Sequence, residues 1–164
     1  MVANASYRTM GTTRPSPSLT RGMLAGFAGG LAGAAAKMLA EYVFPPRTEG
    51  QTPPPVVLAE QVTQRSLDDR ERDLTMQTIH FVFGALAGAV YGALVEYEPS
   101  LGAWRGAAFG ITLNRITHES LLPRLGLTAP PRQQPTQERI SEWVTHAVYG
   151  IATDSVRRAV RRTL

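Results

Sequence analysis

The chain has 164 residues, no cysteine and a net charge of +4 from 17 basic and 13 acidic residues. That is one domain's length, which argues against a multidomain enzyme, and the missing cysteine excludes disulfides, thiolate metal sites and cysteine nucleophiles. Glycine and proline are segregated: 12 of the 15 glycines fall in four apolar segments, and none of the 12 prolines lies inside one.

Residues 1–21 carry Arg8, Arg14 and Arg21 without an acid, plus Pro15 and Pro17, and read as a flexible basic tail. The first apolar segment covers about 22–44. A long loop follows, from Pro45-Pro46-Arg47 through Pro53-Pro54-Pro55 to Asp73, with room for a short surface helix between Val56 and Leu67. The second segment, 74–97, is joined to the third, 101–122, by the tight turn Glu98-Pro99-Ser100. Proline-rich residues 123–139 lead to the fourth segment, 140–160, and the chain closes on Arg157, Arg158, Arg161 and Arg162.

Crossing a bilayer takes about 20 mostly apolar residues. With histidine neutral, Leu74–Val95 is uncharged for 22 residues, whereas Gly22–Ala36 runs 15 before Lys37, the one lysine, and the last two segments hold several ionisable groups. Hydropathy alone leaves a soluble four-helix bundle in contention. Glycine spacing separates the two. Gly22, Gly26 and Gly30 recur every fourth residue, as do Gly84, Gly88 and Gly92, and Gly102, Gly106 and Gly110. Each glycine costs a water-soluble helix about 1 kcal/mol against alanine, whereas in lipid the backbone bonds form anyway and small residues let helices pack backbone to backbone. The expectation is an all-α integral membrane four-helix bundle over residues 22–162, its polar faces turned inward.

The stripes run into ionisable residues: Gly102, Gly106, Gly110, Asn114, His118; His80, Gly84, Gly88, Gly92, Glu96; Gly29, Gly33, Lys37, Glu41; Glu142, His146, Gly150, Asp154. With four spans, Lys37, Glu41, His80, His118, Glu119, Glu142 and His146 all fall about 5–12 Å from one boundary, at 1.5 Å per residue. They form a one-sided vestibule under the proline-rich loops, and the opposite half is expected to be mostly glycine contact. Basic flanks at both ends place both termini in the cytoplasm and the vestibule in the periplasm. A secretory signal in 1–36, cleaved after Ala34-Ala35-Ala36, is the rival reading, but five glycines make a poor apolar core.

The halves echo each other: Glu41-x-x-x-Pro45 and Glu119-x-x-x-Pro123, Gly50-x-Thr52-x-Pro54 and Gly126-x-Thr128-x-Pro130, His80-Phe-Val-Phe-Gly84 and His146-Ala-Val-Tyr-Gly150. They read as two similar helix–loop–helix units, parallel about an axis along the membrane normal. Lys37-x-x-x-Glu41-x-x-x-Pro45-Pro46-Arg47, the His80 helix, His118, Gly126-Leu127-Thr128-x-Pro130-Pro131, and Ser141-Glu142-x-x-x-His146 leading into Arg157-Arg158 together resemble the YagU-type bacterial inner-membrane proteins, across residues 22 to about 162. The resemblance implies a multi-pass inner-membrane protein of undefined biochemical function and, for the protein that gives the family its name, a link to survival in acid. The chain departs from that family in a shorter first loop and in Arg115 and Glu119.

Histidine is the side chain most able to titrate between pH 5 and 8. The cluster can therefore bind protons or a small solute, or its pairs Lys37–Glu41 and Glu142–His146 merely fix helix register. Enzymatic activity and a cofactor are not expected. The alternative is haem or a metal between paired histidines, His80 and His146 occupying equivalent positions. Glu142-x-x-x-His146 lacks the i, i+3 spacing of bundle di-iron sites. The expected partner is the lipid bilayer, with no nucleic acid. The terminal arginines read as topology determinants meeting anionic headgroups, and glycine faces left outside would recruit a second copy or another membrane protein.

Overall fold

The computed structural model describes residues 16–47 and 50–164. Most of the expected basic tail, residues 1–15, lies outside them, and its last residues are already helical. The described chain is all-helical: α1 (Leu19–Val43), α2 (Pro54–Thr63), α3 (Asp69–Tyr97), a 3₁₀ stretch (Pro99–Gly106), α4 (Ala107–Ile116), a π turn (Thr117–Leu121), α5 (Leu122–Arg124) and α6 (Thr136–Arg161). Two of them, α1 and α3, are long and apolar enough to cross a membrane.

Local chemistry sets the boundaries. Ser18 caps α1 by accepting from the Arg21 amide. Asp68 caps α3 in a capping box: its carboxylate accepts from the Glu71 amide at 2.8 Å, and Glu71 accepts from the Asp68 amide at 3.0 Å. The short helix expected within 56–67 is α2, whose carboxylate Glu60 accepts from the Leu67 amide at 3.1 Å and from Arg72 at 3.0 Å. That amide bond, aided by the Arg72 guanidinium, holds the Glu60 carboxyl below its ordinary value.

The third segment differs from expectation. Instead of a helix from residue 101, the backbone breaks at Ala103, and Trp104 and Arg105 take left-handed φ of 51° and 53°. Helix resumes behind Gly106, itself at φ 85°, a conformation that favours glycine. The rod from Ala107 onward then widens into the π turn that carries His118 and Glu119.

α1 stands between α3 and α6, and α6 carries α4 on its other flank. On α1, a Cβ at Gly26 would run into the Gly88 carbonyl of α3, and one at Gly29 into the Thr153 carbonyl of α6. Gly106 and Gly110 lie against Gly150 and His146 in the same way. Gly102 does not take part: its nearest neighbours are 3.9 Å away, because it precedes the break. α3 and α4 touch through the stacked rings of Tyr91 and Phe109, 4.1 Å apart.

Burial runs opposite to a water-soluble protein. The covered face of α6 is Glu138, Ser141, Glu142, Thr145, His146, Tyr149, Gly150, Thr153, Asp154 and Arg157. Leu24, Phe27, Val82, Leu86, Val90 and Leu94 of α1 and α3 are exposed. Large apolar side chains outside and polar ones inside is the arrangement that hydrocarbon surroundings stabilise.

Candidate functional site

The site is built on Glu142, nearly two turns inside α6 and buried. Its Oε1 lies 3.5 Å from Arg47 Nη2 and 3.3 Å from His118 Nδ1; its Oε2 lies 3.6 Å from Lys37 Nζ and 3.3 Å from His146 Nδ1. Lys37 is also bonded to Glu41, one turn further along α1. His146 Nδ1 donates to the Glu142 backbone carbonyl at 2.7 Å. A carbonyl only accepts, so this nitrogen carries the proton and neutral His146 keeps its lone pair on Nε2. The His118 and His146 rings meet edge to face, 4.9 Å between centroids.

His118 lies within the π turn that follows the glycine contacts of α4 with α6, and it continues the Gly110–Asn114 stripe. Asn114, one turn earlier on the same stripe, is fully buried, and neither of its side-chain polar atoms has a hydrogen-bond partner among the described residues. Glu142 Oε2 likewise accepts no hydrogen bond there. Oε2 keeps the Lys37 and His146 nitrogens at 3.6 and 3.3 Å, whereas an unmet buried amide such as that of Asn114 costs about 1–3 kcal/mol.

Of the seven cluster residues expected from sequence, Lys37, Glu41, His118, Glu142 and His146 converge. His80 lines the same cavity as Lys37, Glu41 and His146, but its Nε2–H donates to the Ala34 carbonyl at 3.0 Å instead of to the Glu142 carboxylate. Glu119 turns to another partner: Trp143 Nε1 donates to it at 2.8 Å, and Arg115 lies 3.8 Å away. Among the loop residues, Arg47 joins the centre, while Pro46 and Thr128 wall a polar cavity beside it. Gly126 has a structural task. At φ 71° it ends α5 in a Schellman motif, the Gly126 amide bonding to the Pro123 carbonyl and the Leu127 amide to that of Leu122. Pro45 and Pro130 are exposed, and Pro131 is half-buried.

Two cavities meet at the cluster. The first, about 270 Å³, lies between α3 and α4 and is walled mainly by apolar side chains such as Ile79, Phe83, Leu113 and Leu121. The second, about 300 Å³, is polar and sits under the loops, among Pro46, Thr52, Thr128, Gln133 and Glu142. Arg47, His118 and Leu127 belong to both walls.

A second charged network occupies the opposite end, where mostly glycine contact was expected. Buried Asp154 accepts from Arg157 at 2.7 and 3.0 Å, from Arg158 Nε at 2.6 Å and from the Tyr91 hydroxyl at 3.1 Å. Arg161 pairs with Glu96 at 2.6 Å. Three of the four terminal arginines are thus held by acids of the fold. The i, i+3 and i, i+4 spacing of Arg157 and Arg158 from Asp154 was the available signal.

One trio has the donor set for a cation: His118, Glu142 and His146 offer ligand atoms within 4.8 Å of one another. Lys37 and Arg47 compete for the same carboxylate.

The family model described as "Protein of unknown function (DUF1440)" matches residues 31–155. "Inner membrane protein YagU" of Escherichia coli (strain K12) is 27% identical over 85 residues, 52% of this chain and 42% of that protein, so the match spans less than half the relative's length. No solved structure matches the chain.

Proposed function

Because the chain belongs to the DUF1440 family, whose matched region contains all of the helix-borne cluster, we propose that it is a multi-pass inner-membrane protein, probing its periplasmic side through a Lys/Glu/His centre. In this reading α1, α3, the α4–α5 rod and α6 are four spans in two similar helix–loop–helix units. The termini are cytoplasmic, and glycine contacts bring the spans together. Four features support it: the relative's printed inner-membrane name, the inverted burial, the apolar α1 and α3, and left-handed glycines at equivalent loop positions, Gly50 and Gly126.

The centre is non-enzymatic and binds protons or a small solute, which links it to envelope or acid stress. The observation that carries this is Glu142, buried yet shared by two cations and two histidines, at the junction of an apolar and a polar cavity. A pair serving only helix register would not need five ionisable groups from three helices and a loop.

The test is thermal melting of purified protein from pH 4 to 8, wild type beside Glu142→Gln, His118→Ala and His146→Ala. A wild-type step in melting temperature that one of these variants removes supports a protonation-coupled centre. Melting that is pH-independent throughout leaves the cluster a packing role and sinks the proposal.

A metal ion is the second reading, favoured by the His118–Glu142–His146 trio. It uses His118 in place of His80, whose Nε2–H is tied to the Ala34 carbonyl. Zinc binds nitrogen and oxygen at about 2.0–2.2 Å, so this trio must close slightly and push Lys37 and Arg47 off Glu142. Zinc titration followed by melting checks it: stabilisation lost in His118→Ala supports a metal, and no stabilisation opposes one.

A further inference from the structure

The apolar cavity reaches further than proton binding requires. Phe83, Leu121 and Leu125 line it and are nevertheless 47%, 47% and 54% exposed, so its mouth opens on the apolar outer surface between α3 and the α4–α5 rod. Its inner end is different in kind. There it meets Lys37 and Arg47, with Glu41 bound to Lys37 and Glu142 standing 3.5 Å from Arg47, and the imidazoles of the three histidines. The cavity is thus apolar at the mouth and polar at the base, where Lys37 and Arg47 stand against Glu41 and Glu142, and beyond Arg47 and His118 it adjoins the polar cavity under the loops.

We infer that this cavity binds a single-chain anionic amphiphile, its head at Arg47 and His118 and its acyl chain between α3 and α4. The inference rests on the proposal that the centre handles a small solute, and names that solute's class. Of the two permanent cations, Arg47 is the anchor. Its pair with Glu142, at 3.5 Å, is longer than a hydrogen bond, and its side chain stays 20% exposed, whereas Lys37 is 8% exposed and bonded to Glu41. The guanidinium fork suits a carboxylate or phosphate, and the neighbouring polar cavity keeps the head hydrated. Glu142 is the opposing charge, and the head engages Arg47 by taking the place of its 3.5 Å pair with Glu142.

Size agrees. At roughly 30 Å³ for a water-sized group, 270 Å³ holds about nine such groups, an acyl chain of about eight carbons with its carboxyl. An occupant arriving through the exposed mouth comes from the bilayer, which favours an amphiphile over a water-borne solute.

The experiment uses the full-length protein in nanodiscs, with saturable binding measured for decanoate, decanol, acetate and a monoacyl phosphatidylglycerol. Decanoate is expected to bind roughly tenfold more tightly than decanol, the size of one charge-assisted contact, and acetate not to bind measurably. Arg47→Gln brings decanoate down to the decanol level and leaves decanol unchanged. Leu113→Trp, which fills the cavity, abolishes both; Phe83→Trp serves if Leu113→Trp does not melt like the wild type. Tighter binding of the monoacyl lipid assigns the head to a bilayer lipid, and tighter binding of decanoate assigns it to a free acid; either keeps the inference. Equal affinity for decanoate and decanol, untouched by Arg47→Gln, means simple partitioning and overturns it. So does acetate binding as well as decanoate. If decanoate fails to bind while the wild-type melting step with pH persists, this inference falls and the proton-binding centre stands.

Discussion

Replacing Gly88 by alanine adds one methyl group where the α1–α3 crossing has no space for it. That Cβ would sit 2.6 Å from the Gly30 Cα and 2.8 Å from the Gly30 nitrogen, and it would overlap the Gly26 carbonyl outright. Ordinary contact begins near 3.4 Å, so at least about 0.8 Å must be made up, and the obstacles are all backbone atoms of α1. The helices part, and the neighbouring contacts Gly26–Gly92 and Gly30–Gly84 loosen with them. Overpacking of this kind costs about 1–3 kcal/mol, and a rigid crossing that shares the gap along its length belongs near 3. Helix propensity alone gives the opposite sign, a gain of about 1 kcal/mol for alanine over glycine. The control is Gly102→Ala, whose nearest neighbours are 3.9 Å away and which is expected to stay within about 0.5 kcal/mol of wild type. Reversible unfolding in mixed micelles measures both. Stabilisation by Gly88→Ala, or equal losses at the two positions, would refute the close crossing.

Asp154→Asn leaves Arg157 and Arg158 without their carboxylate; because Arg158 is 44% exposed, the loss is expected near the low end of the usual range, about 3 kcal/mol, read by the same unfolding titration. Tyr149→Phe removes the hydroxyl that donates to the Gly84 carbonyl at 2.7 Å and is expected to cost about 1 kcal/mol, with no effect on pH dependence. Glu60 has a folded-state value below its ordinary 4.5, so its contact with the Leu67 amide contributes fully above that pH and is lost as pH falls through the lowered value. The protection factor of the Leu67 amide, its exchange rate relative to the intrinsic rate at the same pH, is expected to fall on acidification below 4.5 in the wild type and to be low at every pH in Glu60→Ala.

The helical segments and the level of the charged residues along them were legible because glycine, proline and charge are so sharply separated in this sequence. Within the segments, four-residue spacing identified Lys37, Glu41, Glu142 and His146, which stay in register on unbroken helices. It failed where the backbone departs from that register. Gly102 reads as part of the Gly106–Gly110 stripe, but the left-handed Trp104 and Arg105 intervene, and nothing in periodicity marks two non-glycine residues at positive φ. Glu119 reads as a neighbour of His118, yet the π turn sends it to Trp143. The terminal arginines read as free for headgroups because their partners, Asp154 and Glu96, are chosen by tertiary packing as well as by spacing. Arg47 appeared in a loop motif, and only the fold brings it to Glu142.

Topology is the most direct test of the account, and a chain without cysteine makes it clean. Single cysteines at Thr52, Thr128 and Thr163 would be challenged in intact cells with a membrane-impermeant thiol reagent. The account predicts labelling of Thr52→Cys and Thr128→Cys, beside the polar cavity, before permeabilisation, and of Thr163→Cys only after it. Labelling of Thr163→Cys in intact cells, with the two loop positions protected until the membrane is opened, would put the charged centre on the cytoplasmic side and contradict the account.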